Sequence, residues 1–476
     1  MMNKLWNRSN FIRLASLVFL FVASYAVIYV WNVMPLATGH SAKMMCSHVF
    51  LSERHPDSIK KNELAKFPFN YTSIEVDHQD RSAQASLFGF ATQKASFKEG
   101  FGCSLVNPEL SLTFLGQTYN LKTRQSKNSK DQLWPLGEKA GKPPVGLDVT
   151  HLMEAIQEIF EPNGDDPHVL RKSSAVIVVY DGQLIAEKYA HGVTSETRHI
   201  SWSIAKSLTN AIVGLLVYKK DLKVTDKVPI DEWQKDERRN ISYENLLRMD
   251  TGLDWLESYT GPSAVNTMMF RVADMGNYAM RFPLKDKPGE NFMYSSGTTA
   301  ILSSLIREHI KDENYHDFIY ENLFDKIGMS SLVFETDPVG TYVGSSYAFA
   351  TARDYARFGL LYYQDGMWNG ERVLPEGWVD FSTTPTKSSE GRYGAKFWLN
   401  AGGNKKHPSG YNFPSLPRDT YAAIGLGGQY IIVVPSKKLV VVRMAFEFDE
   451  LSRNGDQNML GMDAFVKKII ETLPQS

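Results

Sequence analysis

The chain has 476 residues, with 52 Lys and Arg against 53 Asp and Glu, and a formal net charge of −1. That length suggests two domains, or a large domain with an appendage, and the neutral balance excludes a non-specific nucleic-acid binder, which needs a basic field. The two cysteines, Cys46 and Cys103, exclude a disulfide-dense scaffold and any four-cysteine metal site, and leave either one disulfide or two separate buried thiols.

Residues 14–31 carry no charge and are rich in Leu, Val, Phe, Ala and Tyr. At ~1.5 Å per residue such a helix just spans a hydrocarbon layer ~30 Å thick. Lys4, Arg8 and Arg13 precede it, and the positive-inside rule then holds the N-terminus in the cytoplasm and sends the rest across. Tyr25, Tyr29 and Trp31 suit the outer aromatic belt. A cleaved signal peptide is the rival reading. No A-x-A site follows, although residues 37–42 are rich in small side chains, and the reading taken is an uncleaved, single-pass inner-membrane anchor with the bulk of the chain facing the periplasm. In that oxidising compartment a Cys46–Cys103 disulfide would persist and stabilise by roughly 4 kcal/mol in the chain-entropy view.

In chain order, residues 111–119 read as a strand, 122–145 as an exposed loop and 153–160 as a helix, with no motif that carries chemistry. Residues 175–180 form a buried-strand run, Asp181-Gly182 a hairpin turn and residues 184–189 the returning strand. Ile204, Leu208, Ile212 and Leu215 mark a helix over 204–218. Residues 430–435 and 439–445 are a second strand pair, and 464–473 a closing amphipathic helix. This pattern predicts an α+β fold: one antiparallel sheet flanked by helices, plus a helical subdomain. Three parts follow: an anchor at 1–40, an extension at 41–165 and a larger domain at 166–476.

The sharpest chemical feature is Ser203-x-x-Lys206 at the start of the apolar helix. Three-residue spacing puts hydroxyl and amine on one helical face. A serine needs a base to become a nucleophile, and a lysine serves when desolvation lowers its pKa. The helix N-terminus adds N–H groups suited to an oxyanion. The spacing alone is weak, because Ser58 and Lys61 match it in a polar stretch, and the bland alternative is a helix cap beside a surface lysine. Two further elements supply context: residues 287–297, containing Tyr294-Ser295-Ser296, and the Gly-rich run Gly425-Leu426-Gly427-Gly428-Gln429.

With these motifs, residues about 165–470 resemble the class C β-lactamase-like serine hydrolases, which include penicillin-binding DD-peptidases, carboxylesterases and nylon-oligomer (6-aminohexanoate-dimer) hydrolases. Tyr294-Ser295-Ser296 is similar to the family's Tyr-x-Asn element, with Ser in the third place. Residues 246–253 resemble its Leu-Leu-x-x-x-(Ser/Thr)-Gly-Leu segment, and residues 352–359 and 372–375 its helical region. The resemblance implies a β-lactamase/transpeptidase-like fold and an acyl-enzyme on Ser203, with Lys206 as base and Tyr294 as proton carrier. It implies an oxyanion hole from the backbone N–H groups of Ser203 and Leu426, substrate contacts at Ser296, Gly425 and Gly427, and neither metal nor cofactor.

One departure matters. β-Lactamases and DD-peptidases carry a Lys/His-Thr/Ser-Gly triplet on the strand after the Gly-rich run, and this chain has none there. The run at 421–429 most resembles that of nylon-oligomer hydrolases and related esterases, so the substrate expected is a small amide or ester. A DD-peptidase or β-lactamase-type penicillin-binding protein, and a catalytically idle binding or sensor protein on the same fold, are the alternatives. No G-x-S-x-G elbow, H-E-x-x-H or Walker A run is present.

Overall fold

The computed structural model describes residues 8–106, 129–161, 172–310, 315–402, 411–446 and 455–474. Helix α1 (Arg8–Phe50) runs unbroken across the residue 40 boundary read from the sequence. Its first half is exposed apolar surface, long and apolar enough to cross a membrane. From Met34 onward its side chains enter the protein core. There α1 packs on a four-stranded antiparallel sheet of β1 (Thr72–Asp77), β2 (Ser82–Leu87), β3 (Phe90–Lys98) and β4 (Gly102–Leu105). Cys46 of α1 and Cys103 of β4 form a disulfide, with their Cα atoms 6.1 Å apart. A buried Lys43–Glu335 ion pair, with Glu335 also accepting from Ser47 Oγ and the Cys103 N–H, ties this layer to the larger domain.

The strand read at 111–119 lies outside the described residues. The stretch read as a loop at 122–145 holds two short parallel strands, β5 (Ser129–Leu133) and β6 (Gly137–Lys139). Such strands carry too few apolar residues to show a period, and they form because their backbone is held from outside. Helix α2 (Val149–Glu158) follows.

The central sheet pairs β7 (Ser173–Tyr180) with β8 (Gln183–Tyr189) as read. Beyond it come β9 (Arg198–Ile200), helices α3 (Ile204–Lys219), α4 (Tyr243–Arg248), α5 (Ala264–Arg271) and α6 (Ser296–Ile310), and strands β10 (Val333–Phe334) and β11 (Ala348–Thr351). Helix α7 (Ala352–Tyr363), β12 (Trp398–Leu399), β13 (Tyr421–Gly425), β14 (Gln429–Val434), β15 (Leu439–Ala445) and α8 (Gly455–Thr472) complete the domain. The six-stranded sheet runs β12-β13-β14-β15-β7-β8, antiparallel throughout.

Both faces of this sheet are buried. Ala175, Ile177, Val179, Ile431, Val433, Val440 and Val442 meet α3 and α7, while Val176, Val178, Ile432, Val434, Leu439 and Val441 meet α2 and α8. Period-two alternation thus sends each strand's side chains into two separate cores, which is why the runs look uniformly apolar.

Helix α7 holds β5 and β6 in place. The Arg357 guanidinium, 1% exposed, bonds Asp354, Glu138 and the carbonyls of Pro135 and Gly137. Arg353 makes paired bonds to Glu187 and reaches Glu138. The Ala-Arg-Asp-Tyr-Ala-Arg segment is therefore a structural clamp.

Candidate active site

The turn from β9 into α3 is locked before it reaches Ser203. Ser201 donates its N–H to the Ala348 carbonyl at 2.7 Å, and its hydroxyl bonds the Ser346 carbonyl and accepts from the Ala348 N–H. Trp202, immediately before Ser203, has φ of +42°, a left-handed conformation that an aromatic residue adopts only when its surroundings impose it. Ser203 is the N-cap of α3, yet its hydroxyl makes no capping bond. It faces Lys206 instead, with Nζ to Oγ at 2.9 Å. The helix-cap alternative does not describe this serine.

Lys206 is 1% exposed and has three partners: Ser203 Oγ, Ser296 Oγ at 3.1 Å and the Ser345 carbonyl at 2.9 Å. Burial lowers its pKa to about 8, against the opposing pull of the Glu257 carboxylate. A neutral amine placed so can give two N–H bonds to Ser296 and Ser345 and turn its lone pair to the Ser203 hydroxyl.

The stretch before α6 delivers Tyr294. Met293 N–H bonds the Met249 carbonyl and Gly289 N–H the Asp250 carbonyl, so the segment at 246–253 forms its seat. The Tyr294 ring lies 4.9 Å from Lys206 Nζ. Trp398 stacks on that ring at 5.4 Å and Tyr393 meets it edge-on at 5.8 Å. Burial raises the Tyr294 phenol above its ordinary value, and Glu257 pushes the same way. These surroundings favour the protonated phenol and bring the lysine nearer neutrality. Two titratable neighbours with pKa values pushed apart divide into donor and base.

Ser296 is 1% exposed, and its polar atoms are engaged within the protein. Its N–H and hydroxyl both donate to Glu257, and its oxygen accepts from Lys206. Glu257 also accepts from Trp255 Nε1 at 2.7 Å and the Tyr259 hydroxyl at 2.8 Å. Gly297 lets this happen, since a Cβ there would lie 2.6 Å from the Trp255 ring. Sequence reasoning missed Glu257 because a lone glutamate in an irregular loop has no spacing signal. It also missed Lys396, a buried lysine that donates to Thr299 Oγ1 at 2.9 Å; burial holds its pKa well down and the Lys206 charge lowers it further.

Gly425 ends β13 against the nucleophile turn, where a Cβ would lie 2.2 Å from the Ser201 carbonyl oxygen. Leu426, Gly427 and Gly428 form the turn into β14, so Leu426 stands in a hairpin turn, not on a strand. The end of β13 at Gly425 thus abuts the β9–α3 turn that presents Ser203.

The Beta-lactamase family profile matches residues 160–464. This chain belongs to the beta-lactamase family. The 6-aminohexanoate-dimer hydrolase of Paenarthrobacter ureafaciens is 23% identical over 300 residues, which cover 57% of this chain and 72% of that protein. A provisionally designated 6-aminohexanoate-dimer hydrolase from Bacillus anthracis has the same fold, with a TM-score of 0.53 at 20% identity over 78% of this chain and 96% of that one. EstCE1, a hydrolase with promiscuous acyltransferase activity, gives 0.53 at 12% identity, covering 69% and 99%. As a beta-lactamase-family protein with these hydrolase relatives, the chain is a serine hydrolase.

Proposed function

We propose that the protein is a membrane-anchored amidase or esterase that works through an acyl-enzyme on Ser203. The observation that carries this is the bonding of Lys206, whose amine meets Ser203, Ser296 and the Ser345 carbonyl out of water. Ser203 Oγ attacks the substrate carbonyl carbon while its proton passes to Lys206. The resulting oxyanion is held by the N–H groups of Ser203 and Leu426. Tyr294 gives its proton to the leaving nitrogen or oxygen and is reprotonated from Lys206. Water then attacks the acyl ester along the reverse proton path and releases the acid. Gly425 and Gly427 line the acyl side through their backbone, and Ser296 holds the amine in register.

The turn at 426–428 presents no side-chain cation to a substrate carboxylate, which favours simple amides and esters over β-lactams. A relative named for an amide-dimer hydrolase supports the same class. The anchor reading is supported by the exposed apolar half of α1, and the Cys46–Cys103 bridge fits an oxidising exterior. Cleavage within 37–42 would strip Met34, Leu36 and Ala37 from the core.

A fluorophosphonate probe is expected to label the wild type and not Ser203→Ala; equal labelling of both refutes the acyl-enzyme. The pH profile gives an independent check. Below about pH 8 Lys206 holds its proton and has no lone pair, so kcat/KM should fall with unit slope as pH drops through that value. Glu257 favours the ammonium form, so Glu257→Gln should move the limb to lower pH. A flat profile down to pH 6 would remove Lys206 from the role of base.

A further inference from the structure

The end of the apolar stretch and the start of the folded body are separated by almost nothing. Trp31 is 67% exposed, whereas Met34 is 8% exposed and already in the core, on the same unbroken helix. If α1 spans the bilayer, as proposed above, the body must sit directly on the outer leaflet.

The side chains at that level are apolar and exposed. Thr38 Oγ1 bonds the Ala91 carbonyl, and Phe50 packs against Phe97, so β3 runs alongside α1 in the same direction. The hairpin tip at Phe88 and Gly89 lies about two residues beyond Ala91, roughly 7 Å, which is four to five residues of helix at ~1.5 Å each and level with the end of the apolar stretch near Met34. Phe88 and Phe90 are 73% and 59% exposed there, and Tyr71 beside Phe88 contacts Phe67, both of them exposed. The loop that carries Glu257 reaches about one turn of α1 further toward the apolar stretch: the Tyr29 hydroxyl lies 3.2 Å from where a Gly261 Cβ would be. Leu256 and Tyr259 of that loop are 72% and 46% exposed.

We infer that Phe67, Tyr71, Phe88 and Phe90 on one side of α1, and Leu256 and Tyr259 on the other, form a rim that docks into the interfacial layer of the outer leaflet. Aromatic side chains suit that layer, which wets one end and buries the other. The occupant is lipid because the rim surrounds α1 where its exposed, span-length apolar half meets the folded body. The loop that buttresses Ser296 and Lys206 through Glu257 would then rest on the membrane, and the site would open close to it.

The two native cysteines are joined to each other, so one introduced cysteine is the single reactive thiol. Full-length Leu20→Cys, Phe88→Cys, Leu256→Cys and Glu99→Cys, each labelled with nitrobenzoxadiazole, would be placed in phosphatidylcholine proteoliposomes containing doxyl-labelled lipid. Glu99 is the reference, at the far end of β3 and exposed. Labels at 88 and 256 should be blue-shifted and quenched several-fold more than at 99 by doxyl groups near the headgroup, with the label at 20 quenched by mid-chain doxyl. If position 20 is quenched while 88 and 256 match 99, docking is overturned and the anchor stands. If position 20 is not quenched, both fall.

Discussion

Replacing Lys206 with methionine is expected to lower kcat/KM on a short-chain aryl ester by roughly 10⁴–10⁶-fold, the scale on which one member of a nucleophile–base unit acts. In the proposed mechanism the amine accepts the Ser203 proton across 2.9 Å, and it is also the donor that holds Ser296 and Ser345. Methionine fills its volume without burying a charge. The Ser345 carbonyl loses a partner at a cost of about 1–3 kcal/mol, while Ser296 keeps its bonds to Glu257, so the fold should survive. Lys206→Arg separates chemistry from packing. It keeps a cation with donors, yet cannot give up its proton, and should be as inactive as methionine. Rates within tenfold of wild type in either variant, with an intact melting transition, would dismiss the lysine as base.

Arg357→Ala should destabilise the protein by about 3–5 kcal/mol, read as a lowered melting temperature. The change leaves the buried Asp354 without its cation and frees the Pro135 and Gly137 carbonyls that fix β5 and β6. Burial already raises the Asp354 carboxyl, and Arg357 is the main opposing influence. In the variant its pKa rises further, so the folded state binds a proton that the unfolded chain releases above about pH 4. Stability is then lost as pH rises, and the deficit against wild type should be larger at pH 8 than at pH 5. An equal deficit at both would show that packing, not the stranded carboxylate, sets the cost.

The β7–β8 hairpin, the β14–β15 pair and α3 were legible because each carries a local signal: an apolar run ending at the Asp181-Gly182 turn, β-branched runs and a 3.6-residue apolar spacing. β13 passed unread as a strand because its Tyr-Ala-Ala-Ile-Gly run is short and weak in β-branched residues; its pairing with β14 makes it one. Ser203, Lys206 and Tyr294 could be named since their spacing and neighbouring motifs lie along the chain. Glu257 and Lys396 could not, since nothing near either residue marks it.

Chain-local physics therefore settled the span-length helix, the β7–β8 and β14–β15 strands, the Ser203-x-x-Lys206 spacing and the pair of cysteines available to bridge. Tertiary packing decided the rest. Whether Ser203 caps a helix or faces an amine depends on Ser201 being pinned to Ala348 and Ser346, far away in sequence. How basic Lys206 is depends on burial and on a carboxylate from another loop. Desolvation and through-space charge act on distances that residue order does not encode, and for that reason the motif could be read from the chain while its protonation state could not.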